Sequence, residues 1–530
     1  MAGASVYLKH NVQVEPLVDQ WYAWAHLIPP MTAAKNITGR HLRIMDSYLD
    51  APEMHAQAVM NPKMLGGPFI DYNGGRVDEI AALRARTKKE RAPMIELSAA
   101  IDELDKLLQA KATGFTMQNL YESVPPCLRG YVELVYDLNA HPAVRFIEPL
   151  LYHSPYYQRS SQTLMLSICG GDDRPFVLST PRLEEPDLLH WEVPFDDPAI
   201  DDLFRLKAEP RCRDEVCERM GLSAEQSRLL DRLLTAEPPR QYQPYTGAGV
   251  RWRYFGHACI LVETQGLSLL FDPVLSYTYE SDISRYTYED LPDVIDYALI
   301  THNHPDHLLF ETMLQLRHKI RHIVVPRNGG GLLQDPSMRL LLNQTGFKKV
   351  IELAEMDSID LPNGSITALP FLGEHSDLYI MTKTAYLVTL GKRSLLFGAD
   401  SCNIEPRLYE HLRGEIPQPD AIFLGMECDG APLTWLYGPL LTGRIERAMD
   451  ASRRLAGSNF QQALNIIDTL SCKEAYVYAM GQEPWLNYVM SIKYTETSRP
   501  IVESNKLIDE CLRRGIHAER LFGEREILLE

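Results

Sequence analysis

The run Thr301-His302-Asn303-His304-Pro305-Asp306-His307 places three imidazoles and a carboxylate within seven residues. These are metal ligands: imidazole nitrogen suits zinc, iron and copper, and carboxylate oxygen suits harder cations. The preceding stretch, DVIDYALI, is apolar and reads as a strand. His302 and His304 stand two apart at its end, a spacing that projects both imidazoles to one side of an extended chain. Pro305 breaks the strand, and Asp306 and His307 then lie near the start of the next helix. The four groups therefore divide into two sets, His302 with His304 for one metal and Asp306 with His307 for a neighbouring one. With 16 histidines in 530 residues, chance clustering in a polar loop is a poor account of this run.

The elements that must position these groups follow from periodicity. VRWRYFGHACILVETQGLSLLFDPVL reads as two short strands joined by a polar turn, and LLFETMLQLRHKI has the helical period at Leu309, Met313, Leu316 and Ile320. RHIVVPRN and DAIFLGME read as strands, and TAYLVTL and SLLFGAD as a hairpin about Gly391-Lys392. In the first half, residues 78–110 are helical, SQTLMLSICG and RPFVLST read as strands, and no chemical motif stands out. AEPPRQYQPYTGAG, rich in Pro, Gly and Gln, reads as a linker. The chain thus divides into an α/β region over 1–235, a linker over 236–249 and a metal domain over 250–530, consistent with a length beyond one core.

Composition excludes several classes. Apolar residues at 45% and charged residues at 23% are those of an ordinary globular chain. A net charge of −18 opposes binding to nucleic acid, whose affinity comes from neutralising phosphates. No apolar run approaches the ~20 residues of a membrane helix, and the N-terminus lacks the pattern of a signal peptide. Nine cysteines without a CxxC pair predict reduced thiols and a cytoplasmic location.

The HxHxDH run resembles the signature of the metallo-β-lactamase fold superfamily. Over about 250–530 the resemblance implies an αββα sandwich with ligand loops at strand ends. GHACILVETQGLSLLFDP is similar to the fold's first motif, with His257 near the site and Asp272 orienting a ligand histidine. Two further ligand loops are expected: GEH in LPFLGEHSDL, and Asp400 in LLFGADS, placed to bridge two metals. Glu374 and His375 are adjacent, and on an extended loop they point opposite ways, so one of them is expected to coordinate. The late histidine of zinc hydrolases has no counterpart, since His411 and His517 read as surface, and Glu427 is a carboxylate candidate near the site. With Glu374 in the third-motif position, the set becomes three imidazoles and three carboxylates, a donor mix that favours iron or manganese over zinc.

FLGEH, FGADS and LGMECDGAPLTWLYGPLLTGRIERAMDASRRLAGSN, after an N-terminal region of about 240 residues, give a narrower resemblance. The chain is similar to the di-iron β-hydroxylases of chloramphenicol and related non-ribosomal peptide biosynthesis. That resemblance assigns His302, His304, Asp306, His307, Glu374 and Asp400 to two iron ions and leaves His375 outside the ligands. It implies O2-dependent monooxygenation at Cβ of an amino acid, p-aminophenylalanine in the chloramphenicol case, held as a thioester on a non-ribosomal peptide synthetase carrier domain. It also implies a homodimer built partly by the N-terminal region. Glu374, Asp400 and Glu427 are the carboxylates expected to take part in catalysis. The two electrons come from an external donor, because no flavin or nicotinamide motif is present. Trp435 and Tyr437 are candidates to wall a pocket for an aromatic side chain, and RHKIRH or Lys348-Lys349 to meet an acidic carrier. The competing readings are a zinc-dependent hydrolase of a thioester, lactone or phosphodiester, which needs the same HxHxDH run, and a metal-bearing scaffold module without O2 uptake.

Overall fold

The computed structural model describes residues 5–530. The second half holds two seven-stranded sheets face to face. In spatial order the first is Val350–Leu353, Ile320–Pro326, Ile295–Leu299, Leu267–Phe271, Ile260–Thr264, Val250–Tyr254 and Arg525–Leu529. The second is Ser358–Leu361, Gly364–Leu369, Ala385–Leu390, Arg393–Phe397, Ala421–Gly425, Glu474–Tyr478 and His517–Arg520. Trp252, Phe271, Tyr386, Phe397 and Phe423 fill the space between them, and Phe271 stacks on Phe397 with ring centroids 3.7 Å apart. Helices cover the outer faces, Phe310–Leu316 and Met338–Gln344 on one side and Phe460–Leu470 and Arg499–Arg513 on the other. Strands such as Ala421–Gly425, buried at every position, are continuously apolar because both faces are covered.

Three strands, rather than two, arise from the segment that begins at Val250. Gly256 (φ +109°) and His257 (φ +53°) turn the chain sharply after Tyr254, so Ile260 pairs back onto Tyr254. The same turn sets His257 at the rim of the sandwich. The 78–110 region is two helices, Val77–Glu90 and Ala92–Lys111. Arg91 separates them and donates to both Asp19 oxygens at 2.7 and 2.6 Å, and Pro93 opens the second helix.

The N-terminal region has sheets of its own: Trp21–Tyr22, Val12–Val18, Gln162–Ile168 and Leu189–Glu192 form one, and Arg211–Cys212, Ser5–Leu8 and Leu234–Thr235 another. RPFVLST, expected as a strand, is irregular. Its polar groups are used elsewhere: across the boundary between the halves Arg174 donates to Glu311 at 2.7 Å and the Val177 N–H reaches the Tyr488 carbonyl at 2.8 Å, and within the N-terminal half Arg174 pairs with Glu15 and the Ser179 hydroxyl donates to the Phe69 carbonyl at 2.8 Å. No ladder is needed where the backbone is satisfied elsewhere. One apolar core joins the halves, running from Trp21, Trp24 and Leu97 to Phe255, Leu433 and Trp485. RHKIRH is not an open basic face: Arg317 and Lys319 are buried, Arg317 on Asp201 at 2.8 Å and Lys319 on the Pro292 carbonyl at 3.1 Å. Among the described residues no helix is long and apolar enough to cross a membrane.

Candidate metal centre

Strand Ile295–Leu299 delivers the HxHxDH run to the sheet edge, and Asp272, at the end of the neighbouring strand Leu267–Phe271, locks it there. The Thr301 N–H donates to Asp272 Oδ1 at 2.8 Å and the Thr301 hydroxyl to Oδ2 at 2.7 Å. Asp272 Oδ2 also lies 2.8 Å from His307 Nδ1, which fixes that ring and leaves its Nε2 facing the site. The His307 and Leu308 amides fold back onto the His304 carbonyl at 3.1 and 2.9 Å, so the run closes into a turn before helix Phe310–Leu316 begins. Thr301 had no role in the reading of the run from sequence. Its hydroxyl lies 3.0 Å from His302 Nδ1 and 3.3 Å from His307 Nδ1.

Three overlapping groups of side chains bring ligand atoms within 4.8 Å of one another: His302 with His304 and Glu374, His302 with His307 and Asp400, and His257 with Asp306 and His307. His304 Nδ1 lies 2.7 Å from Glu374 Oε1. Asp400 Oδ2 lies 3.0 Å from His307 Nε2 and 3.8 Å from His302 Nε2, between the two sets. Gly425 makes room for it, since a Cβ there would stand 2.3 Å from Asp400 Oδ1. His257 accepts the Gly481 N–H on Nδ1 at 3.2 Å and so presents an Nε2–H to Asp306, 3.0 Å away.

The electrostatics are those of a site built for cations. Burial pushes the Glu374 carboxyl up from its ordinary value, with Asp400 and Asp306 adding to the rise and His304 opposing it. Burial pushes His302 and His375 well down. For His307 burial acts downward, but Asp400, Asp272 and Asp306 outweigh it and raise the imidazole well above its usual range. Burial acts upward on Asp306, and His307 and His257 outweigh it, holding the carboxyl below the usual range. His302 Nε2, Glu374 Oε2, His375 Nε2 and Asp400 Oδ1 are buried without a hydrogen-bond partner. Such groups are rare and costly unless something satisfies them. Converging imidazoles and carboxylates with orphaned ligand atoms fit two metal ions, and the oxygen-rich donor mix fits iron.

The adjacent pair Glu374 and His375 departs from expectation. Glu374 has φ +66°, in the left-handed region, and Gly373 before it has φ +76°. The loop is therefore not extended, and both side chains turn to the site: the His375 ring lies 4.6 Å from that of His304, and its Nε2 lies 3.2 Å from Glu374 Oε2. Trp435 and Tyr437 do not wall one pocket. They lie two apart on the short helix Leu433–Tyr437 and face opposite ways. The Tyr437 hydroxyl sits 2.9 Å from His304 Nε2 and 2.8 Å from His375 Nδ1, whereas Trp435 packs on Phe176 and donates to the Gly66 carbonyl at 3.0 Å. Glu427 belongs to none of the three groups. The Gly430 N–H and the Tyr494 hydroxyl hold it, and burial pushes its carboxyl up to about 7.

Asp272→Asn tests the anchor. Asparagine keeps one acceptor oxygen of the two and turns an NH2 donor towards either the Thr301 N–H or the His307 Nδ1 side, so metal affinity is expected to fall by about 10–100-fold. Titration of metal-free protein measures it, and an unchanged affinity would remove Asp272 from this role.

Residues 7–238 match the family described as diiron non-heme beta-hydroxylase N-terminal domain, and residues 268–456 match the beta-lactamase superfamily domain. The chain is 39% identical over 529 residues to the 4-amino-L-phenylalanyl-[CmlP-peptidyl-carrier-protein] 3-hydroxylase of Streptomyces venezuelae, covering 98% of this chain and 99% of that one. The crystal structure of CmlA, a diiron beta-hydroxylase from Streptomyces venezuelae, matches with a TM-score of 0.93 and 38% identity over 99% of both chains. A short stretch, 57 residues or 10% of this chain and 22% of the relative, is 44% identical to a UPF0173 metal-dependent hydrolase of Carboxydothermus hydrogenoformans. Likeness to the hydroxylase over the whole length, through both the N-terminal region and the metal domain, decides between the two: the chain belongs to the diiron non-heme β-hydroxylase family.

Proposed function

We propose that this protein is an O2-dependent di-iron monooxygenase that hydroxylates Cβ of an amino acid, 4-aminophenylalanine, held as a thioester on a carrier domain of a non-ribosomal peptide synthetase. The observation that carries this reading is Glu374: a carboxylate occupies the third-motif position, 2.7 Å from His304, where a zinc hydrolase would present a histidine. His302, His304 and Glu374 would hold one iron and Asp306 and His307 the other, with Asp400 between them. When bound, the pair of irons supplies O2 binding and reduction, so that C–H, O2, two electrons and two protons give C–OH and water, the electrons coming from an external donor.

The protein's own groups orient and insulate that chemistry. Asp272 and Thr301 fix His307, Tyr437 fixes His304, and His257 holds Asp306. Burial of the ligand histidines and Glu374 keeps bulk water from them. Glu427, with its carboxyl near 7, is placed to manage a proton close to the centre. It would be half protonated near neutral pH, so a rate that needs its proton falls as pH rises through that value. Glu427→Gln is expected to lower kcat by about a hundredfold and to flatten that limb, with the metal content intact. Loss of metal along with rate would make Glu427 a ligand instead.

We read residues 1–235 as a region for partner recognition or dimerisation, 236–249 as the linker and 250–530 as the metal domain, in a cytoplasmic homodimer. Leu234–Thr235 closes back on Ser5–Leu8, and the next strand starts at Val250, which supports the division. The test of the activity is metal analysis of freshly purified protein with an optical spectrum before and after anaerobic reduction. A diiron content and a near-ultraviolet absorption that bleaches on reduction are expected. Zinc with no redox response, in cells grown with ample iron, would move the reading to a hydrolase.

A further inference from the structure

Between the N-terminal helices and the segment that carries Tyr437 lies a groove of about 1180 Å³. Lys35, Arg40, Arg43, Lys106, Arg444 and Arg447 line it, against only Asp102 and Asp450, in a chain whose net charge is −18. Both carboxylates are engaged: Asp102 pairs with Lys35, and Asp450 accepts the Thr434 N–H at 2.9 Å and hydroxyl at 2.7 Å. Arg43, Lys106, Arg444 and Arg447 have no carboxylate partner among the described residues. Cations gathered in a concave wall without counter-charge raise the local potential and favour a multiply charged anion.

A second, independent observation lies deeper. Arg40 donates Nη2 to the carbonyls of Trp435 and Leu436 at 2.8 and 3.1 Å, and its Nε is buried without a partner. The guanidinium lies 5.9 Å from the Trp24 ring, Trp24 lies 4.7 Å from His26, and His26 lies 5.9 Å from Tyr437, whose hydroxyl bonds His304. His26 is 1% exposed, yet neither ring nitrogen has a hydrogen-bond partner. Arg40 Nε and both His26 nitrogens are therefore unpartnered polar atoms lying between the groove and Tyr437, distinct from the orphaned atoms of the metal site. Each costs stability while unsatisfied, and a hydrogen-bonding ligand entering from the groove would satisfy them.

We infer that this groove receives the phosphopantetheine arm of the carrier domain. Arg43, Arg444 and Arg447, exposed at its rim, hold the phosphate, and the arm runs inward past Arg40 and Trp24 with His26 as a hydrogen-bond partner short of Tyr437. The inference rests on the carrier-bound reading of function. Metal-loaded full-length protein is titrated with 4′-phosphopantetheine, with pantetheine and with inorganic phosphate, followed by calorimetry and tryptophan fluorescence. Phosphopantetheine is expected to bind about tenfold more tightly than pantetheine, the worth of one charge-assisted contact. The double variant R444E/R447E should abolish that difference and raise KM for loaded carrier, with kcat at saturation kept. K88E/K89E, exposed on helix Val77–Glu90 away from the groove, should change neither. Absence of phosphopantetheine binding, equal affinity for pantetheine, an unmoved R444E/R447E, or inorganic phosphate binding as well as phosphopantetheine would each overturn the assignment. If loaded carrier is hydroxylated while R444E/R447E behaves as wild type, the groove falls and the activity stands. If no loaded carrier is hydroxylated while phosphopantetheine binding and its loss on charge reversal hold, the activity falls and the groove stands.

Discussion

Asp400→Asn is expected to lower bound iron below the diiron complement and to cut hydroxylation by at least about a thousandfold, a loss of several kcal/mol of stabilisation at the reacting centre. Asp400 is the group shared between the two ligand sets, 3.0 Å from His307 and 3.8 Å from His302. Asparagine preserves the shape that Gly425 accommodates but removes the charge and one anionic oxygen. Asp400, Asp272 and Asp306 raise the His307 imidazole above its usual range against its burial, so the change also relaxes the field on that ring. Iron quantitation of the purified variant, with turnover on loaded carrier, measures both effects. A variant with full iron content and a rate within a few-fold of wild type would show that Asp400 does not link the sets.

Glu374→His carries the second large effect. The substitution converts the donors to four imidazoles and two carboxylates, the mix that suits zinc. A histidine tolerates the left-handed backbone at this position (φ +66°) better than most residues, so the fold is expected to persist. Hydroxylation should drop by at least about a hundredfold, a larger effect than loss of an outer partner, while zinc is still bound. Metal competition between iron and zinc, followed in wild type and variant together, tests it. Undiminished hydroxylation with iron bound would mean that the Glu374 carboxylate is not what selects the chemistry.

The parts of this site that were legible in the letters are those where ligands sit close in sequence at the end of an apolar strand. His302, His304, Asp306 and His307 follow Ile295–Leu299, so residue type and strand periodicity pointed to them, while Asp400, after Arg393–Phe397, was expected from the family resemblance. Pairs governed by local backbone conformation were not legible. Glu374 and His375 were read on an extended loop, and the positive φ that sends both to the site is signalled only by Gly373. Trp435 and Tyr437 were read as neighbours on a wall. On a helix, residues two apart diverge by about 200° at 3.6 residues per turn. RPFVLST has strand composition, but its partners are distant in the chain, two of them, Glu311 and Tyr488, across the boundary between the halves, and composition carries no information about them. The N-terminal region contributes single residues, His26 and Arg40, to surfaces completed by positions some four hundred residues on, and no run of letters announces such a meeting.

The central claim, that this protein inserts oxygen from O2 into a carrier-bound amino acid, is tested most directly by isotope. Iron-loaded, reduced protein is mixed with carrier bearing 4-aminophenylalanine under ¹⁸O2 in ordinary water, and the intact carrier is weighed by mass spectrometry. The account predicts one ¹⁸O atom in the new hydroxyl group at Cβ, with the thioester unbroken. Release of the free amino acid with oxygen drawn from water, and no label from O2, would contradict it and leave a hydrolase.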